Sequence, residues 1–225
     1  MNRHERRAGA VLGDTMVLFD WNGTIVVDAD HARAALNLVL GRRGLPAFGE
    51  AEFSMRFRLP FSELLGRLGI EADDRPAAEE EWNTELSTMR TRLCPGAPEC
   101  LVSLAQDGAW LGVLSASSAA AVRFDQRSLA VPPVFHMVDA SIDDKFEALL
   151  RHRPTRTRAY YVGDSADDMR CASAADYIAV GVSPGFADES ARLLRAAGAA
   201  HVISSLDELV GLIQVDDPVG SVAQV

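Results

Sequence analysis

Basic residues, cysteines and long apolar runs are all scarce in this chain, and each scarcity excludes a class of protein. The 225 residues contain 22 Lys and Arg against 32 Asp and Glu, which gives a formal net charge of −10. This balance argues against a nucleic-acid partner, because displacing counterions from a phosphate backbone needs a basic surface. No apolar run approaches the roughly 20 residues of a membrane span, and the basic N-terminus lacks a signal-peptide core. We therefore expect a cytoplasmic protein that binds neither nucleic acid nor membrane.

Cysteine usage excludes a second class, the disulfide-stapled domains. Cys94, Cys100 and Cys171 are too few and too irregularly spaced for a disulfide framework, and no CxxC occurs. We expect them to act as small apolar residues in the interior. A chain of this length buries about 70% of its unfolded surface on folding, so it needs neither disulfides nor a structural metal.

Short apolar runs alternate with helical patterns along most of the chain. The first, TMVLFD at 15–20, ends in a carboxylate and predicts a buried strand. Strands that alternate with helices predict an α/β fold, a three-layer Rossmann-like parallel sheet with helices on both faces. Further strands are predicted at 110–115, 134–139, 158–164, 176–182 and 201–203, and helices at 98–107, 119–129, 145–151, 166–175, 188–197 and 206–213.

Residues 28–92 interrupt this alternation, because no strand-like run occurs among them. Apolar residues from Ala32 to Leu40 recur at helical spacing instead. The sequence therefore predicts an all-helical domain at 28–92 inserted into a core built from 15–27 and 93–214. Helices are predicted within the insert at 50–56, 61–68 and 76–92, and the termini at 1–14 and 215–225 are expected to be flexible.

The segment VLFDWNGTIV at 17–26 places a carboxylate, Asp20, at the carboxyl end of the first strand. In open α/β sheets, ligands bind outside the carboxyl ends of the strands. Gly23 allows a tight turn there, and Thr24 offers a hydroxyl to orient the carboxylate. A strand-end Asp is more often a turn or cap residue, so Asp20 alone does not establish chemistry.

A second strand-end carboxylate occurs in YYVGDSADD at 160–168. Asp164 ends the strand, and Asp168 lies in the first turn of the following helix, whereas Asp167 is expected at the surface. Helix capping explains an acidic first turn, but it does not explain carboxylates at two separate strand ends. Carboxylates gathered from two strands repel one another unless a cation neutralises them, and hard oxygen ligands favour Mg²⁺.

Two smaller features fit a phosphate site. Ser115 follows the strand WLGVL, so its hydroxyl and the next backbone N–H, that of Ala116, can bind an oxyanion. Lys145, the only lysine in an arginine-rich chain, begins a predicted helix 19 residues before Asp164. Alone, each residue is more often a turn residue or a solvated lysine.

The four segments VLFDWNGT, VLSAS, DDK and YVGDSADD, in this order, resemble the motifs of the haloacid dehalogenase-like (HAD) hydrolase superfamily. The stretch at 179–209 is similar to its phosphoglycolate-phosphatase-like members, and the helical insert resembles the family's C1-type cap. The resemblance extends over about residues 16–213. It implies a Mg²⁺-dependent phosphatase with a small phosphorylated metabolite as substrate, and it assigns no oligomeric state.

The resemblance also implies a role for each motif residue. Asp20 is expected to be the nucleophile that forms an aspartyl-phosphate. Mg²⁺ would be held by Asp20, the backbone carbonyl of Asn22 and Asp164, with Asp168 nearby through water. The transferring phosphoryl group would be bound by Ser115, the N–H of Ala116 and Lys145, and Lys145 would also keep Asp20 ionised.

Position 22 departs from the family pattern, which usually has an Asp there as general acid and base. The amide of Asn22 neither gives nor takes a proton at neutral pH, and general acid–base catalysis is worth about 10²–10⁴-fold. Three interpretations follow: a phosphatase that finds its proton transfer elsewhere, a phosphate-binding or regulatory protein with little turnover, and an enzyme that cleaves another bond. Residues 28–92 contain no lysine for a phosphonatase Schiff base, and dehalogenation needs no Mg²⁺.

In this family the cap selects the substrate by closing over the site. Arg56 and Arg58 are candidates for holding a substrate carboxylate or a second phosphate, because arginine offers a bidentate fork. Trp21, directly after the nucleophile, and Trp82 are candidates for lining the pocket. The alternatives are solvated arginines and tryptophans that pack in the interior.

Overall fold

The structure, a computed structural model, describes residues 12–27, 29–49, 52–53, 56–57, 61–88, 91–183 and 188–216. The chain divides into two compact units. The first combines the chain up to Val26 with the chain from Leu93 onward, and the second comprises Val27–Arg92.

A six-stranded parallel sheet forms the centre of the first unit, in the order β5-β4-β1-β6-β7-β8. The strands are β1 (Thr15–Phe19), β4 (Trp110–Leu114), β5 (Met137–Asp139), β6 (Arg158–Gly163), β7 (Ile178–Val182) and β8 (His201–Ile203). The helices of this unit are α4 (Ala97–Gln106), α5 (Ala119–Ser128), α6 (Lys145–His152), α7 (Ala166–Ala174), α8 (Asp188–Ala196) and α9 (Asp207–Val215). The predicted α/β class with a Rossmann-like parallel sheet is confirmed.

The strand order places β1 at the centre of the sheet. The chain runs outward from β1 through β4 to β5, then returns to the other side of β1 and continues through β6, β7 and β8. The direction of winding therefore reverses at β1. Ligands of open α/β sheets bind at such a reversal, outside the carboxyl ends of the strands.

Both faces of the central strand are buried, which is why it is apolar without alternation. Met16 and Leu18 belong to a core cluster with Leu149 and Met169, which lie on α6 and α7. The alternate residues Val17 and Phe19 are equally inaccessible to solvent. A strand covered on both sides cannot shift its register without exposing apolar surface, so the residue that follows it has a fixed position.

The second unit contains α1 (Ala29–Arg42), α2 (Phe61–Arg67) and α3 (Arg75–Thr88). Its apolar residues, including Leu36, Leu65 and Phe61, form a separate core. The ring of Trp82 stacks on Phe61 at a centroid distance of 4.2 Å. Trp82 thus packs among the helices of its own unit.

Several predicted element boundaries are wrong. Residues 134–136 do not belong to β5: the N–H of Val134 donates to the carbonyl of Pro132 in a turn, and the N–H of Leu111 on β4 donates to Nδ1 of His136 at 3.1 Å instead of to a backbone carbonyl. A two-stranded sheet of β2 (Val26–Val27) and β3 (Arg92–Leu93) was not expected, because two-residue strands leave no apolar pattern. Of the predicted helix at 50–56, only 52–53 and 56 lie within the described residues.

The termini also differ from the expectation of flexible ends in the few residues that the structure describes. Leu12 is fully buried, and its N–H donates to the carbonyl of Asp107 at 2.9 Å. The carbonyl of Asp14 accepts from the N–H of Arg158 at 3.2 Å. At the other end, Val215 completes α9. None of the helices in the described ranges combines the length and the apolar character that crossing a bilayer requires.

The separate core of the second unit predicts that alanine substitutions at two leucines of this unit have very different effects on stability. Leu65→Ala deletes a side chain that is 0% exposed, whereas Leu38→Ala deletes one that is 45% exposed. We expect Leu65→Ala to cost about 2–5 kcal/mol of unfolding free energy and Leu38→Ala about 0.5 kcal/mol or less. Urea unfolding followed by circular dichroism measures both, and equal costs would contradict a packed core around Leu65.

Candidate active site

Three polar residues follow the carboxyl ends of three adjacent strands. Asp20 follows β1, Ser115 follows β4 and Asp164 follows β6. The N–H of Asp20 donates to the carbonyl of Val162 on β6 at 2.8 Å. The N–H of Ser115 donates to the carbonyl of Asp139 at the end of β5 at 2.9 Å. Pairing of parallel strands therefore brings residues from distant parts of the sequence to one edge of the sheet.

A cluster of carboxylates occupies this edge. Asp20, Asp164 and Asp168 each offer an oxygen that lies within 4.8 Å of the others. Asp20 is 9% exposed and Asp168 is 0% exposed, while Asp164 is half-buried. The structure thus brings together the three carboxylates that the sequence analysis singled out, and it leaves Asp167 on the surface, where its carboxylate pairs with Arg170 at 3.0 Å.

The only lysine of the chain, Lys145, lies between two of these carboxylates. Its Nζ lies 2.5 Å from Oδ1 of Asp168 and 3.3 Å from Oδ1 of Asp20. Lys145 is the first residue of α6, and the side chain of the preceding Asp144 caps this helix by accepting from the N–H of Glu147 at 3.0 Å. The cap fixes the point from which the lysine reaches the cluster.

Asp168 is held by donors on both of its oxygens. Oδ1 accepts from Lys145 and, at 3.3 Å, from the hydroxyl of Tyr161. Oδ2 accepts from the N–H and the hydroxyl of Ser165, at 3.0 and 2.6 Å. The Ser165 hydroxyl in turn accepts from the N–H of Asp168, which completes a capping box at the start of α7. With both oxygens occupied, Asp168 is suited to orienting its neighbours and to holding a cation through water.

Burial and charge shift the acidities within the cluster. Desolvation raises the pKa of Asp20 to about 7, with Lys145 opposing this and Asp168 adding to it. Burial also favours the neutral form of Asp168, but Lys145 and Ser165 outweigh it and lower that pKa. The pKa of Lys145 is raised despite its burial, because Asp168 and Asp20 stabilise the ammonium. Asp168 and Lys145 therefore form a fixed ion pair, and Asp20 has only a share of one positive charge.

A glycine allows Asp164 to approach the first motif. Gly23 has a φ of +76°, and a Cβ at this position would lie 2.1 Å from Oδ2 of Asp164. Any side chain at position 23 would therefore strain the backbone and displace the carboxylate. The same crowding occurs at Gly163, where a Cβ would lie 2.6 Å from Cγ of Asp168.

The donor set fits a hard divalent cation. All three clustered side chains offer carboxylate oxygens, which are the ligands that Mg²⁺ prefers. Three carboxylates and one ammonium share the cluster, so full ionisation gives it a net charge of −2. Desolvation, with a smaller contribution from the charge of Asp168, raises the pKa of Asp20 to about 7, and a bound cation would oppose both effects.

Asn22 is joined to the loop after β4. The hydroxyl of Ser117 donates to Oδ1 of Asn22 at 2.5 Å, and the N–H of Ser117 donates to the hydroxyl oxygen of Ser115 at 3.1 Å. Ser115 is 1% exposed, whereas Ala116 between the two serines is exposed. The sequence analysis missed Ser117, since a second serine in the turn SASS has no signal of its own.

Trp21 is not the pocket residue that the sequence analysis proposed. Its side chain is 0% exposed, and its Nε1 donates to Oδ2 of the buried Asp125 on α5 at 3.0 Å. The ring also makes an edge contact with Phe135 at 6.4 Å. The side chains of Asp20 and Trp21 thus point in different directions: the Asp20 carboxylate lies at the cluster, and the Trp21 indole packs in the interior.

The two candidate arginines have different outcomes. Arg56 is exposed and forms an ion pair with Glu52 one helical turn earlier, at 2.6 Å. Its guanidinium also lies 4.8 Å from the ring centroid of Phe48. These contacts are those of a solvated surface residue, so they give no support to a substrate-binding role. Arg58 lies outside the described residues.

Comparisons with solved structures place this fold among known proteins. A protein of Bacteroides fragilis described as a haloacid dehalogenase-like hydrolase is 22% identical, with a TM-score of 0.76 over 87% of this chain and 99% of that one. A predicted phosphatase of Clostridium acetobutylicum is 19% identical, with a TM-score of 0.75 and coverage of 90% and 98%. A predicted phosphoglycolate phosphatase of Haemophilus somnus is 15% identical, with a TM-score of 0.72 and the same two coverages. At identities this low, the structural similarity establishes a shared fold and nothing more.

The sequence itself supplies the assignment to a family. A comparison with curated protein sequences gives no match. The family model of the haloacid dehalogenase-like hydrolases matches residues 17–182, which include Asp20, Ser115, Lys145, Asp164 and Asp168. The match extends over more than half of the chain and contains the clustered residues, and the chain therefore belongs to the haloacid dehalogenase-like hydrolase family.

Proposed function

We propose that this hydrolase is a Mg²⁺-dependent phosphatase that acts on a small phosphorylated metabolite through an aspartyl-phosphate on Asp20. The observation on which the proposal depends is the position of Asp20. It lies beside Lys145, Asp164 and Asp168 at the carboxyl end of the central strand, where the winding of the sheet reverses. The names of two structural relatives, both phosphatases, point to the same chemistry.

Asp20 is the nucleophile in this proposal because it has the most accessible carboxylate among the buried acids of the cluster. Both oxygens of Asp168 accept hydrogen bonds, whereas Asp20 has one oxygen 3.3 Å from Lys145. A carboxylate oxygen attacks the phosphorus, and the bond to the leaving group breaks. Covalent catalysis of this kind divides one difficult displacement into two easier ones.

The other residues neutralise and orient charge. Lys145 opposes the desolvation that raises the pKa of Asp20, and it lies close enough to share its charge with a transferring phosphoryl group. The hydroxyl of Ser115 and the N–H of Ala116 would bind the phosphoryl oxygens. Asp20, Asp164, the carbonyl of Asn22 and, through water, Asp168 would hold Mg²⁺, which supplies charge neutralisation for the phosphoryl group when bound. By resemblance to the family, the helical unit Val27–Arg92 would act as the cap that selects the substrate.

Asn22 favours a second candidate function, a phosphate-binding or regulatory protein with little turnover. The amide accepts a hydrogen bond from Ser117 and cannot exchange a proton with a leaving group or with water. A panel of phosphometabolites distinguishes the two functions. Mg²⁺-dependent phosphate release supports the phosphatase, whereas thermal stabilisation by a panel member without phosphate release supports the binding protein.

Mg²⁺-dependent stability tests the carboxylate cluster without requiring turnover. The pKa of Asp20 is raised from 3.8 to about 7, so its contribution to stability without metal is present below pH 4 and lost as the pH rises through 7. In metal-free buffer at pH 8 we expect Asp20→Asn to melt about 2–4 °C above the unmodified protein, a gain of roughly 1 kcal/mol. Mg²⁺ should then stabilise the unmodified protein and leave Asp20→Asn nearly unchanged.

Asp167→Asn is the matched control, because it removes an exposed carboxylate next to the cluster. It should respond to pH and Mg²⁺ like the unmodified protein in differential scanning calorimetry. Equal stabilisation of Asp20→Asn and Asp167→Asn by Mg²⁺ would contradict a cation site at Asp20.

Gly23→Ala and Gly44→Ala separate backbone strain from damage to the site. Both glycines have positive φ, +76° and +67°, but a Cβ meets Asp164 only at position 23 and has nothing within 4 Å at position 44. We expect each variant to lose about 1–2 kcal/mol of stability and only Gly23→Ala to bind Mg²⁺ more weakly, by tenfold or more. Isothermal titration calorimetry measures the affinity, and unchanged binding in Gly23→Ala would exclude Asp164 as a ligand.

Hydrolysis of p-nitrophenyl phosphate tests the nucleophile. We expect release of p-nitrophenol in the presence of Mg²⁺, no release with EDTA, and a loss of at least about 10³-fold in Asp20→Asn, because the attacking oxygen is replaced by an amide. Asp167→Asn should retain full activity. Hydrolysis that continues in Asp20→Asn or in EDTA would refute the proposed mechanism.

Asn22→Asp restores a group that can transfer protons. We expect it to accelerate hydrolysis of alkyl phosphates by up to about 10²–10⁴-fold and that of p-nitrophenyl phosphate much less, because nitrophenolate leaves without protonation. Steady-state kinetics on glycerol phosphate and p-nitrophenyl phosphate provide the comparison. The same acceleration on both substrates would show that position 22 does not act on the leaving group.

A further inference from the structure

Ser117 has every polar group engaged, which is unusual for a serine in an exposed turn. Its hydroxyl donates to Oδ1 of Asn22, its N–H donates to the hydroxyl of Ser115, and its carbonyl accepts from the N–H of Ser141 at 2.7 Å. The backbone of this serine is therefore fixed on two sides, and its hydroxyl is presented to Asn22 from a fixed point.

This contact joins the loops that follow two adjacent strands. β1 and β4 are parallel neighbours in register, with Phe19 opposite Val113. Asp20 and Leu114 are consequently level with each other, and the hydrogen bond from Ser117 to Asn22 lies two or three residues further along. Ser117 therefore holds the side chain of a residue that lies two positions after Asp20, on the loop that follows β1.

The polarity of the contact decides what Asn22 can do. Because Oδ1 accepts from Ser117, the amide is oriented with Nδ2, which only donates, on its other side. A neutral donor stabilises negative charge on a leaving oxygen but supplies no proton to it. This property suits leaving groups that depart as anions.

We propose that Ser117 is a positioning residue that fixes the Asn22 amide as a hydrogen-bond donor to the leaving oxygen, so that the enzyme acts on acyl phosphates and other phosphates with weakly basic leaving groups. This inference rests on the proposed phosphatase function and names its substrate class. Asn22 would touch the leaving oxygen, and Ser117 would act through Asn22.

The chemistry balances without an acid from the protein. A carboxylate oxygen of Asp20 forms a bond to phosphorus while the bond from phosphorus to the leaving oxygen breaks, and the electron pair of that bond leaves with the oxygen as a carboxylate or phenolate. Water then attacks phosphorus, its proton passes to solvent, and phosphate departs as Asp20 is regenerated. The N–H of Asn22 is shared in a hydrogen bond throughout and is not transferred.

The test measures leaving-group release in the first turnover with Mg²⁺, on acetyl phosphate, p-nitrophenyl phosphate and phenyl phosphate. We expect Ser117→Ala to slow release of p-nitrophenol about three- to tenfold, which corresponds to the loss of one hydrogen bond. Release of phenol should slow by a larger factor, because a hydrogen bond stabilises the more basic phenolate oxygen more strongly. Ser117→Thr retains the hydroxyl and should retain the rate. Ser173→Ala, an exposed serine on α7, is the matched control and should match the unmodified protein.

A double-mutant cycle separates positioning from a general structural effect. Asn22→Ala should reproduce the loss seen in Ser117→Ala, and the double variant should show no further loss. In metal-free protein, the side-chain amide signals of Asn22, assigned by their absence in Asn22→Ala, should move in Ser117→Ala and stay in place in Ser117→Thr.

Two outcomes would overturn the inference. A slowing in Ser117→Ala that is equal for all three substrates, or that adds to the loss in Asn22→Ala, would show that Ser117 does not act through the amide. Failure of the proposed phosphatase function gives a different result. In that case none of the three substrates, acetyl phosphate included, releases its leaving group in a manner that depends on Asp20, and both proposals are refuted.

Discussion

One ammonium group, Nζ of Lys145, is the positive charge that makes the carboxylate cluster possible. It lies 2.5 Å from Asp168 and 3.3 Å from Asp20, and no other lysine exists in the chain. Buried carboxylates so close together repel one another, and the penalty is relieved only by an opposite charge. Asp168 takes most of the benefit, because Ser165 and Tyr161 also donate to it. The pKa of Asp20 therefore stays raised, and a cation bound beside it would lower this pKa.

Asn22 imposes the second constraint on the chemistry. The residue two positions after Asp20 is held by Ser117, and its amide does not transfer a proton at neutral pH. Under the proposed function, a site without an acid at this position favours a leaving group that needs no protonation; the alternatives are proton transfer by another group and binding without turnover. Asn22 in place of the usual Asp thus narrows the proposed substrate class and keeps the regulatory alternative open. The hydrogen bond from Ser117 holds the Asn22 amide in one orientation.

The buried strands were the most predictable elements. β1 was predicted to within one residue, because a strand buried on both faces is apolar throughout, and the edge strand β8 was predicted with the observed bounds at 201–203. The start of β5 could not be predicted, since the ring of His136 accepts the N–H of Leu111 that the ladder would otherwise use. The prediction that Trp21 lines a pocket was wrong. It relied on the position of Trp21 next to Asp20 in the sequence, whereas adjacent side chains along a strand point in opposite directions.

The sequence by itself determined the family and the chemical inventory of this protein, because the order of four short motifs depends on residue identity alone. It could not determine which of those residues meet. Asp20 and Asp168 are 148 positions apart, and only the order β4-β1-β6 brings their strand ends to one edge of the sheet. Tertiary structure also decided that Ser117 reaches Asn22 and that Trp21 turns inward, since hydrogen bonds between loops leave no periodic trace in a sequence.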